Sequence, residues 1–95
     1  MNCVIYHWPM AISLNERDKI EKYCDSLNFN DFPSESEVIN IFNKFYSNAS
    51  QYKFSRSYYF HENSEKWFVF SDKDNPEIEF DIVFCKHDID NYAYF

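Results

Sequence analysis

Not one of the 95 residues is a glycine. That absence excludes every phosphate-cradling glycine loop, the Walker motif and the dinucleotide fingerprint among them, and each turn must draw on Asn, Asp, Ser or Pro. Cysteine is scarce: Cys3, Cys24 and Cys85 are an odd number without framework spacing, which points to a reducing compartment, the cytoplasm. No apolar run approaches the length of a membrane span. The stretch Met1–Leu14 holds His7, Trp8 and Pro9 and has no basic start, so it does not read as a signal peptide. Basic residues are outnumbered, nine Lys and Arg against sixteen acids, which argues against direct nucleic-acid binding.

What the chain has instead is aromatic mass. Eleven Phe, eight Tyr and two Trp in 95 residues exclude disorder and predict one domain, residues 1–95, with a dense core. The richness in Asn, Lys, Ile, Tyr and Phe fits an AT-rich coding genome of bacterial or phage type.

Two helix starts are legible. Ser13-Leu14-Asn15-Glu16 and Ser34-Glu35-Ser36-Glu37 both place a Ser three residues before a Glu, the pattern in which the two side chains satisfy the orphan amides of a first turn. The first predicts a helix near 14–28 with Leu14, Ile20, Tyr23, Cys24 and Leu27 on its apolar stripe. The second predicts a helix near 35–47 with Val38, Phe42, Phe45 and Tyr46 inward. From Gln51 the period becomes two. Strands are expected near 51–60, 66–71 and 77–86, with turns at His61–Glu65 and Asp72–Pro76. Cys3–Trp8 is a further short β-prone run, and His87–Phe95 reads as an edge strand or an ordered tail. The fold class is therefore α+β: two N-terminal helices packed on a three- or four-stranded antiparallel meander, with Trp67, Phe68, Phe70, Phe80 and Phe84 buried.

Charge is distributed unevenly. Residues 61–95 carry nine acids and three Lys, hence −6 of the total −7. Within that segment Glu77, Glu79 and Asp81 alternate with Ile78, Phe80 and Ile82, so on a strand the acids share one face and the apolar residues the other. Flanked by Asp72, Asp74, Asp88 and Asp90, they make the leading candidate for contact with a basic partner, with Glu79 and Asp81 expected to point away from the packed side. Same-face carboxylates stand about 6.6 Å apart, within a factor of two of the roughly 3.4 Å phosphate spacing along one DNA strand.

Other constellations read as structural. Asp72-Lys73-Asp74-Asn75-Pro76-Glu77 is oxygen-rich but lacks the glycine and the ligand spacing of a calcium loop. Cys85 and His87 are two zinc-ligand types, short of the four that structural zinc takes. His61-Glu62 begins like a zinc deaminase motif, but no Cys-x-x-Cys follows. The row Tyr52, Phe54, Tyr58 and Phe60, interrupted by Arg56, reads as core, and Arg56 as a residue that stacks, pairs or marks a bulge. No metal, cofactor or catalytic set is expected.

These observations imply a small, non-catalytic, acidic binding protein with a basic protein partner, no direct nucleic acid and no membrane. An inhibitor that occupies a nucleic-acid-binding surface, of the anti-CRISPR, anti-restriction or toxin-immunity type, is the first expectation. An accessory subunit using an apolar sheet face is the second, and a small metal-assisted enzyme built on Asp72, Asp74 or Glu77 the third.

Overall fold

A computed structural model describes residues 2–7, 13–27 and 31–86 of the chain. Strand β1 (Asn2–Tyr6) precedes helices α1 (Leu14–Ser26) and α2 (Glu35–Phe45), and β2 (Tyr52–Phe60), β3 (Glu65–Asp72) and β4 (Glu79–Cys85) follow. The four strands form one antiparallel sheet in the order β1-β4-β3-β2. The α+β expectation holds, with Asn2–Tyr6, which overlaps the β-prone Cys3–Trp8 run, supplying the fourth strand. Its placement beside β4 makes β4 an interior strand.

The helices begin where the Ser–Glu pairs put them. At Ser34 the full reciprocal box is present: Glu37 N–H donates to the Ser34 hydroxyl at 3.2 Å, and Ser34 N–H donates to the Glu37 carboxylate at 3.3 Å. At Ser13 the hydroxyl accepts from Glu16 N–H, while a second Glu16 oxygen accepts the Ser47 amide at 3.1 Å and ties α1 to the end of α2. Leu14 is exposed rather than part of the buried stripe, which α1 builds from Ile20 and Cys24. Both helices cover one sheet face, where α2 residues Val38, Ile41 and Phe42 meet Tyr52, Phe68, Phe70, Phe80, Ile82 and Phe84.

Alternation sets the two faces of the sheet. Even positions of β3 and β4 face the helices, and odd positions face away. In β2 the pattern slips: Phe54 pairs with Phe70 but Arg56 pairs with Val69, so Ser55 is an extra residue in a β-bulge. Tyr52 and Phe54 therefore lie on the helix side, and Arg56, Tyr58 and Phe60 on the other. The reading of Tyr52, Phe54, Tyr58 and Phe60 as one core row is corrected by that single residue. Trp67, also expected in the core, is half-buried on the face turned away from α1 and α2, its ring 5.3 Å from Tyr6 and 5.9 Å from Phe60. Phe68, Phe70, Phe80 and Phe84 are buried as expected.

The cysteines are free and buried. Burial, reinforced by neighbouring Cys24, pushes the Cys3 thiol well above its ordinary value, which disfavours the reactive thiolate. Among the described residues no helix is long and apolar enough to cross a membrane.

Candidate protein-binding surface

The carboxylates singled out by the sequence fall into different environments. Asp72 closes β3 and organises the following turn: one of its oxygens accepts the amides of Asp74 at 2.7 Å and Asn75 at 3.1 Å and the Gln51 side chain at 3.0 Å. The Asp74 amide, then the Gln51 side chain, hold its carboxyl below the usual range. Such a side-chain-to-backbone loop is what replaces glycine here. Asp74 and Glu77 are exposed, and Glu77 sits in the turn rather than in the strand, which begins at Glu79. Asp74 accepts the other Gln51 contact at 2.8 Å.

Glu79 and Asp81 do share the face turned away from α1 and α2, but neither is unpaired. Across β3, Arg56 forks onto Glu79 with N–H groups at 2.6 and 3.3 Å, which lowers the Glu79 carboxyl and raises the guanidinium further. Arg56 also contacts the Tyr58 hydroxyl and lies over that ring. Asp81 is buried, 9% exposed, between Val69 of β3 and Tyr6 of β1, and meets His7 Nδ1 at 2.9 Å. Both point away from the side packed on the helices, as expected, but they do not form an open row, because β1 and β3 flank β4 on both sides. Asp88, Asp90 and His87 lie outside the described residues. Of the other acids in this half, Glu62 is exposed and Glu65 is buried against the Trp67 indole N–H at 3.0 Å. No group of three or more metal-ligand side chains occurs among the described residues.

A second surface was not legible as a site. Tyr58, Tyr59 and Phe60 are 40%, 43% and 46% exposed, three consecutive aromatics at the end of β2. Successive strand residues point to opposite faces, so three in a row cannot all enter one core; that was the available signal. The strand they end is an edge strand. The two edges of the sheet differ. On β1, the Cys3 amide donates to Asp25 at 2.8 Å and the Ile5 amide to Glu21 at 3.4 Å, so α1 carboxylates occupy that edge. On β2, no strand or carboxylate takes the outer backbone groups among the described residues; the Ser57 hydroxyl donates to the Glu35 carboxylate of α2 at 2.9 Å, a contact between side chains.

The acidic turn and the aromatic patch lie at opposite ends of the sheet, because Tyr52 pairs with Asp72 and Phe60 with Glu65. An eight-residue strand rising about 3.4 Å per residue separates them by about 25 Å. Comparison with known protein families, with curated proteins and with solved structures finds no match.

Proposed function

We propose that this chain is a non-catalytic protein-binding module, an inhibitor or an accessory subunit, that docks a basic protein through the outer edge and exposed aromatics of β2. The observation that carries this reading is the contrast between the sheet edges. One is occupied by side chains of the protein's own helix; the other ends in three exposed aromatic rings. Exposed apolar residues on an open edge invite an added strand, with backbone bonds supplying affinity and rings supplying selectivity.

The acidic excess supports a basic partner in a different way from the ladder expected from sequence. With Glu79 held by Arg56 and Asp81 by His7, the net charge of −7 acts chiefly as a long-range field that speeds encounter. Inhibitors of the anti-CRISPR, anti-restriction and immunity kinds fall in this class, as do accessory subunits.

The test compares what co-purifies with three tagged forms from the source organism: the parent, a Tyr58→Ser/Phe60→Ser variant, and an Asp74→Lys/Glu77→Lys variant. A partner lost with the aromatic variant and merely weakened by charge reversal supports the reading. A partner lost only on charge reversal favours an acidic-groove inhibitor. One indifferent to both, or self-association of the pure parent that the aromatic variant abolishes, sinks it.

A further inference from the structure

On the helix side of the sheet, beyond the reach of α2, the ends of β2, β3 and β4 leave an open cleft of about 370 Å³ lined by Asp31, Phe32, Tyr59, Lys66 and Lys86. The register explains why these meet. Tyr59 pairs with Lys66, and Lys86 donates its backbone N–H to Ser64 at 3.1 Å, two residues before Lys66 on the same face. Phe32 comes from the segment leading into α2 and sets its ring against Tyr59 at 5.3 Å. Tyr59 also meets His61 edge-to-face at 4.2 Å.

The charges in this cleft run against the rest of the molecule. In a chain with sixteen acids, Lys66 has no carboxylate in ion-pair reach among the described residues. Its ammonium instead rests over the buried Phe68 ring at 5.2 Å. Lys86 rests over Phe32 at 4.8 Å and shares Asp31 at 3.2 Å. Two ammonium groups thus face one carboxylate, and each is stationed over a ring, although Lys86 remains exposed. Asp31 is highly exposed; the Phe32 amide and then Lys86 hold its carboxyl below the usual range.

We propose that this cleft binds a small flat aromatic anion, one ring system bearing a phosphate or carboxylate, of the size of a nucleoside monophosphate. The anion sits between Lys66 and Lys86 and the ring lies against Phe32 and Tyr59. The volume lies at the lower end of the roughly 300–1,000 Å³ typical of ligand pockets, which suits a single ring system. Two charge-assisted bonds orient the anion. Asp31 at the rim opposes it, so the site is tuned by one removable like charge.

Tyr59 is common to this cleft and the β2 interface, but Lys66 and Lys86 take no part in that reading, and Tyr58 and Phe60, the positions its test changes, take none in this one. The probes are adenosine monophosphate, adenosine and inorganic phosphate, titrated into the full chain and followed by amide and aromatic-ring NMR shifts. Adenosine monophosphate should give saturable shifts at Phe32, Tyr59, Lys66 and Lys86. Lys66→Gln and Lys86→Gln should each weaken it roughly tenfold, Lys66→Arg should retain it, and Asp31→Asn should tighten it severalfold. The same spectra report whether each variant is folded. No saturable shift, adenosine binding as well as its phosphate, phosphate alone binding as well as the nucleotide, or Lys66→Gln without effect would overturn the proposal.

Discussion

Replacing Phe80 with Ala is the most direct probe of how this sheet is held. Phe80 is fully buried in the interior strand β4. Its ring stacks on Phe70 at 5.3 Å and 7°, stands edge-on to Tyr52 at 5.2 Å and 82°, and tilts against Phe42 at 5.2 Å and 44°. Truncating a core Phe costs about 3–5 kcal/mol through lost transfer energy and the cavity left behind. Each well-placed ring pair adds about 0.5–1.5 kcal/mol beyond area burial. With three such pairs the loss should fall in the upper half of the first range, about 4–5 kcal/mol. Small domains have about 5–15 kcal/mol in all, so the variant should be only marginally folded. At about 4–8 °C per kcal/mol for a domain of this size, its melting point should drop by about 15–40 °C. Urea titration followed by far-ultraviolet dichroism gives the number, with Leu14→Ala, an exposed position, changing stability by less than about 0.5 kcal/mol as control. A loss at Phe80 below about 1 kcal/mol would refute the packing described for this face.

Two further outcomes follow from the carboxylates. Asp81→Lys should cost about 3–5 kcal/mol, because it sets an ammonium between Val69 and Tyr6 and leaves a buried site without its His7 contact, whereas Glu79→Lys, at a half-exposed pair, should cost much less and by an amount that shrinks with salt. Equal urea midpoints for the two variants would mean that Asp81 is as solvated as Glu79. Asp72, held down first by the Asp74 amide, and Glu79, held down by Arg56, both titrate below their unfolded values, so their contribution is complete above those values and is lost as pH falls through the folded ones. The urea midpoint should therefore hold from pH 7 to about 5 and fall below about 4; Asp72→Asn should flatten that fall, and an unchanged acid profile would count against the turn geometry.

The helix starts and strand periods were readable because their causes are local. Ser34 and Glu37 are three residues apart, and a capping box needs nothing else; the alternation of Phe80, Ile82 and Phe84 assigns them to one face whatever lies across from them. The bulge at Ser55 is different. Arg56 breaking the aromatic row announced an irregularity, but which side Tyr58 and Phe60 would take depends on Val69 and Trp67 opposite them. A one-residue slip turns every following side chain over, and the pairing that decides it is not a local property.

Non-local pairing decides the acidic ladder as well. Alternation places Glu79 and Asp81 on one face, but sharing a face is not the same as meeting solvent. That depends on strand order. Had β4 been the outer strand of a three-stranded meander, its charged face would have been flanked on one side only. Because β1 returns to pair with it, Asp81 lies between Tyr6 and Val69, and His7, carried past the end of β1, comes within 2.9 Å. Arg56 reaches Glu79 only because the bulge turns it to that face. Two ordinary long-range pairings thus give the two anticipated contact residues partners within the chain. The outer backbone edge of β2 takes no comparable partner among the described residues, and Tyr58, Tyr59 and Phe60 stay 40%, 43% and 46% exposed even with Arg56, Phe32 and Trp67 against them, which is why the proposed interface rests on that edge rather than on the charges.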